Sequence, residues 1–207
     1  QFTHFVASDA AFRSGFNRFF LKGLGAIPKK KNIRDAKVIR DIMTVMNQGE
    51  NVGLFPEAVR NWSGKSFPID PSIAKLIKKL NAPVIVGLLQ GMNLFNPRWS
   101  GKLRRTYLNV DYSIALSKKE VQELSVAEIY SRISQALDYD EVAFQKSHMH
   151  PVRSNHKAEE IGHALFVCPQ CEAIDSFEAN QNEFGCKNCD YTLVINAFGF
   201  YELKSGA

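Results

Sequence analysis

All four cysteines of this 207-residue chain fall in one pattern: Cys168-Pro-Gln-Cys171, fourteen residues, then Cys186-Lys-Asn-Cys189. Two C-x-x-C knuckles at that distance read as a four-thiolate metal site, because each knuckle turns two sulfurs toward one tetrahedral ion. Four protein ligands close the coordination sphere, so a bound Zn2+ would be structural and not catalytic. The alternatives are a pair of disulfides or a redox dithiol, and a redox dithiol normally sits on a thioredoxin-like unit, which the sequence does not show. Thiolates without disulfides imply a reducing compartment. A second group lies in Phe55-Pro56-Glu57-Ala58-Val59-Arg60-Asn61-Trp62-Ser63-Gly64. There a Glu and an Arg project from the turn after a short apolar strand, where open α/β sheets place ligands. The planar guanidinium of Arg60 suits a phosphate, since it donates two hydrogen bonds at once. The Glu57 carboxylate can accept from a substrate hydroxyl or orient the Arg. The same two residues also fit an ordinary surface ion pair.

The elements that must position these groups are legible from periodicity. Residues 2–7 read as a strand, and Phe12, Phe16, Phe19, Phe20 and Leu24 share one helical face. That face is expected to pack on the sheet, although its flanking Arg13, Arg18 and Lys22 also suit insertion at a lipid interface. A helix over Ile39–Met46 ends at Gly49, and a strand over residues 51–55 leads into the loop Pro56–Pro71. Asp70 and Pro71 open a helix whose stripe is Ile73, Leu76, Ile77 and Leu80. The apolar run Pro83–Leu89 predicts a strand buried on both faces. A strand over residues 106–112 is followed by capping boxes Ser117/Glu120 and Ser125/Glu128. This alternation predicts an α/β domain over residues 1–140. Residues 141–164, within which most of the histidines cluster, read as a polar linker, and residues 165–204 as a zinc ribbon.

Composition narrows the function. Apolar residues are 45% and charged residues 23%, a globular profile that excludes a disordered or fibrous chain. The longest uncharged run holds too many Asn and Pro residues to be a membrane span. Net charge is +5, but residues 1–105 carry +12 and the remainder −7. The basic half points to an anionic partner. The ribbon carries 2 basic and 6 acidic side chains, so no nucleic-acid partner is expected and a docking or folding role suits it better.

The F-P-E-A-V-R-N-W-S-G segment resembles the F-P-E-G-T-R-S block of the glycerolipid acyltransferases, the lysophosphatidate and glycerophosphate acyltransferases. Phe5-Val6-Ala7 and Leu24-Gly25-Ala26-Ile27-Pro28-Lys29-Lys30-Lys31 are similar to the family's second block, and Ala82-Pro83-Val84-Ile85-Val86 to its fourth. A C-terminal zinc ribbon resembles one bacterial branch. The resemblance implies a mixed sheet flanked by helices, and acyl transfer from acyl-CoA or acyl carrier protein to a lysophospholipid or glycerophosphate hydroxyl. It implies work in phospholipid biosynthesis in the cytoplasm, peripheral at the inner face of an anionic membrane surface. It implies that Lys31 and Arg60 hold the phosphate and Glu57 places the glycerol.

The family's catalytic block is Asn-His-x-x-x-x-Asp, in which the His acts as general base and the Asp orients it. His4 and Asp9 match the His-to-Asp spacing, but no Asn precedes His4, and the following register belongs downstream of that block. The chain opens on Gln1 and its first methionine is Met43. The expectation is therefore an N-terminally truncated chain whose catalytic block lies upstream of Gln1, inactive alone, with His4 and Asp9 as the remaining candidates. Ala58 and Val59 stand where the family carries Gly and Thr, and Ala58 is expected to be strained if that position needs a positive φ. The rival reading is a non-catalytic lipid- or partner-binding protein on the same scaffold, with the ribbon as docking module.

Overall fold

The computed structural model describes residues 2–30 and 35–206. The first unit is a parallel sheet of three strands in the order β2-β1-β3: β1 Thr3–Ser8, β2 Ile27–Lys29 and β3 Asn51–Gly53. Between β1 and β2 lie a 3-10 turn, Asp9–Phe12, and helix α1, Gly15–Gly23, started by the Ser14 hydroxyl accepting from Asn17 N. Helix α2, Ala36–Asn47, is capped by Asp35, whose carboxylate accepts from the N–H groups of Lys37 and Val38. Its buried Val38 and Ile42 close one face of the sheet together with Val6, Ile27, Val52 and Leu54.

Helix α3, Ser72–Leu80, begins where Asp70 accepts from Ser72 N and ends in a left-handed residue, Asn81. Strand β4, Val84–Gln90, pairs antiparallel with β5, Asn109–Leu116, and the short helix α4, Met92–Phe95, lies between them. Helices α5, Lys118–Glu123, and α6, Val126–Ala136, each start with a complete capping box, as the sequence predicts. Leu116, Val121 and Ile129 are fully buried in a core that also contains Ile69, Ala74, Ile77 and Ile133. The Lys78 ammonium donates to the carbonyls of Val121, Gln122 and Leu124, so α3 supplies the cation that satisfies the C-terminal end of α5.

Helix α7, Glu141–His148, precedes a 3-10 turn, Ile161–His163, and the antiparallel meander β6-β7-β8-β9: Phe177–Asn180, Glu183–Cys186, Thr192–Ile195 and Tyr201–Ser205. The fold is thus a mixed α/β arrangement with a small four-stranded module carrying the cysteines. No described helix is long and apolar enough to cross a membrane.

Three expectations change. The aromatic face of α1 does not pack on the sheet: Phe16 is 79% and Phe19 81% exposed, because the neighbour of α1 is the preceding turn and not a strand. Strand β4 is not buried on both faces. Ile85, Leu89, Val110, Tyr112 and Ile114 form a bare apolar face of the β4–β5 pair, and no hydrogen bond joins that pair to β1–β3 among the described residues. The stretch 141–164, read as a linker, is structured. Val152, Ala158 and Ile161 are buried, and the last two form one core with Trp99, Phe184 and Ile195. The polar composition misleads there because its few apolar residues fall where the module needs a floor.

Candidate functional site

The loop after β3 carries Glu57 and Arg60. They form no ion pair with each other among the described residues, so the surface-pair alternative does not describe them. The Arg60 guanidinium donates to the Asn96 carbonyl at 2.5 Å. Arg98 donates in turn to the Arg60 carbonyl and lies over the Trp62 ring, 4.7 Å from its centroid. Loop 56–71 is therefore laced to the loop that follows β4. Asn61 Oδ1 accepts from Gly64 N at 2.9 Å and closes the turn. The Glu57 carboxyl is pushed above the ordinary range by burial, against the opposing hydrogen bonds from the Phe67 backbone and Asn61. A half-buried carboxyl and an exposed guanidinium on one loop suit a hydroxylated phosphate, since each group keeps bonding capacity for a ligand.

Ala58 has φ +58°, the left-handed conformation expected of a glycine position. Ala58→Gly is predicted to stabilise the fold by about 0.5–1 kcal/mol, because the relief of Cβ strain exceeds the added chain entropy. Chemical denaturation of the two proteins checks this, and a lowered midpoint for the glycine variant would contradict it.

Lys31 lies outside the described residues. His4 sits on β1 and shares a 2.8 Å hydrogen bond with the Gly25 carbonyl. A Cβ on Gly25, whose φ is +61°, would come within 2.5 Å of the His4 ring, so glycine is required there. Asp9 starts the turn beyond the end of β1. Five extended residues span roughly 16 Å, and the two side chains share no hydrogen bond or ion pair among the described residues. The structure thus does not assemble them as a catalytic pair.

Sequence spacing missed Asn96, Arg98 and Glu141. Glu141 is 3% exposed, and its carboxylate accepts from the N–H groups of Asn93 (3.1 Å) and Leu94 (2.6 Å). Burial pushes its pKa up, against these backbone hydrogen bonds. It thereby fixes α4 and the start of the loop that holds Arg60. No local pattern could have found it, because its partners lie 47 and 48 residues away.

The cysteines form the second site. The four sulfurs lie within 4.8 Å of one another, with Cys168–Cys189 at 3.7 Å and Cys171–Cys186 at 3.6 Å. A tetrahedron with metal–sulfur bonds of about 2.3 Å has edges of about 3.8 Å. The donor set therefore fits one ion, and no disulfide is formed. Ser176 Oγ stands 3.3 Å from Cys186 Sγ and Asn188 N–H donates to the same sulfur. The Ser176 contact pulls the Cys186 thiol down to about 6 and favours the thiolate that binds metal. The arrangement is compatible with structural zinc.

Comparison with known proteins bears on the first site. Among curated proteins and among solved structures, nothing matches the chain. The model of the Acyltransferase family matches residues 2–86, from β1 into β4 and across the whole Glu57–Arg60 loop. Residues 2–86 are therefore similar to the Acyltransferase family, and acyl transfer is the general chemistry that this similarity supports.

Proposed function

We propose that the protein acts in the transfer of a fatty acyl group from acyl-CoA or acyl carrier protein to the hydroxyl of a lysophospholipid or glycerophosphate at an anionic membrane surface. The observation that carries this reading is the family match over a loop in which Arg60 and Glu57 face solvent unpaired with each other. In the reaction the acceptor hydroxyl oxygen attacks the thioester carbonyl, the carbon–sulfur bond breaks, and the thiol leaves with the proton. Arg60, with Lys31, holds the acceptor phosphate, and Glu57 accepts from a glycerol hydroxyl. Because His4 is engaged with Gly25 and not with Asp9, this pair is not assigned as the general base and its orienting carboxylate.

The membrane part of the reading is supported by α1. Its exposed Phe16, Phe19, Phe20 and Leu24 lie beside Arg13, Arg18 and Lys22, an apolar face with cations that suits insertion among anionic headgroups. The cysteine module is assigned a structural Zn2+, in keeping with its closed donor set.

The test is acyl transfer by the gene product including the residues before Gln1, with glycerol phosphate as acceptor. Arg60→Ala is expected to raise the acceptor KM about 10–100-fold, the loss of one charge-assisted phosphate contact of roughly 1.5–3 kcal/mol. Absence of transfer by the longer protein would leave the non-catalytic binding reading in its place.

A further inference from the structure

We infer that Arg105 and Arg153 form a binding site for a phosphate group. The two residues face each other across an isolated antiparallel bridge, with Arg105 N donating to Arg153 O at 3.1 Å and Arg153 N to Arg105 O at 2.8 Å. Such a hydrogen-bonded pair puts both side chains on the same face, directly opposite each other. Like charges in that position repel, and they are tolerated well when an anion lies between them. Among the described residues, neither guanidinium has an ion pair or a side-chain hydrogen bond.

Two further observations point the same way. An open cavity of about 130 Å³ is lined by Arg105, Thr106, Tyr107, Pro151 and Arg153. The neighbouring residues are also cationic. Arg104 is 3% exposed, donates to the Lys157 carbonyl and lies over the Trp99 ring, and its Nε is buried without a hydrogen-bond partner among the described residues. Lys157 is itself buried and donates to the Ser154 carbonyl. The nearby carboxylate of Glu159 is already engaged by Lys102 at 2.7 Å and His156 at 2.5 Å.

Two guanidinium forks match the oxygens of a tetrahedral anion, and they match a phosphate monoester better than a carboxylate. One side of the cavity continues into an aromatic column. Tyr107 stacks on His150 at 4.1 Å, and Phe144 stacks on His148 at 4.1 Å. The phosphate could belong to a soluble phosphate ester or to a lipid headgroup. This binding does not depend on the chain being an acyltransferase, so its test uses no activity.

The test is titration of the zinc-loaded chain with inorganic phosphate, followed by backbone amide NMR. The expected result is saturable shifts confined to residues 104–107 and 151–154, with affinity weakened at least tenfold in both Arg153→Ala and Arg105→Ala. Unchanged dispersion elsewhere in the spectrum verifies that each variant is folded. Two further probes separate the sources. Coenzyme A binding more tightly than inorganic phosphate supports a soluble ester. Tighter binding to phosphatidic-acid vesicles than to phosphatidylcholine vesicles, lost in Arg153→Ala, supports a headgroup. Absence of saturation up to about 20 mM phosphate, or titration curves that both variants leave unchanged, would overturn the proposal.

Discussion

Removal of the metal is expected to unfold the cysteine module and to expose Trp99. The module's own apolar interior is small: Phe184 and Ile195 are its deeply buried side chains, and it completes its core with Trp99, Ala158 and Ile161 from the preceding chain. Structural zinc in small domains contributes on the order of 10–16 kcal/mol of binding free energy, which a core of this size cannot replace. Without the ion, four thiols held within 4.8 Å lose the attraction that keeps them together. Because Trp99 is 8% exposed against this core, the loss reaches beyond the ribbon. Treatment with a strong chelator should shift Trp99 emission to longer wavelength in a Trp62→Phe background and collapse the amide dispersion of residues 165–204. Retained dispersion after verified metal loss would show that the module stands without the ion.

Leu116→Ala should cost about 3–5 kcal/mol. Leu116 is fully buried at the end of β5, in one core with Ile69, Ile77, Val121 and Ile129. Truncation leaves a cavity walled by side chains on α3, α5 and α6, elements fixed separately by two capping boxes and the three Lys78 bonds. They cannot all collapse toward the gap, so the cost lies at the upper end for such changes. Ile69 shares this core and ends the loop that carries Glu57 and Arg60, so the damage extends to the candidate site. The measurement is the urea midpoint of the variant. A loss under 1 kcal/mol would mean that the core relaxes into the space.

The local elements were legible in the sequence where one residue's chemistry sets a boundary. Ser117/Glu120 and Ser125/Glu128 announced their helices because a capping box satisfies backbone N–H groups within a single turn. Asp70 did the same for α3. The metal site was equally plain, since a C-x-x-C knuckle fixes two ligands locally and two knuckles need only meet. The strain at Ala58 was foreseen from one residue type, because a positive φ is a property of that residue alone.

What only the tertiary structure decided is which faces find partners. Phe16 and Phe19 look like core by periodicity, yet a hydrophobic stripe reports only that a face is apolar, not what lies opposite. The same holds for Ile85, exposed on a strand that reads as doubly buried. Arg60 and Glu57 are three residues apart and look like a pair, but packing gives Arg60 the Asn96 carbonyl and leaves Glu57 partly desolvated. Arg105 and Arg153 carry no mutual signal across 47 intervening residues of chain, and only the bridge places them face to face. Sequence thus determined the groups whose partners lie within one turn or one knuckle. The fold decided those whose partners are distant, because burial and charge pairing depend on what long-range packing brings alongside.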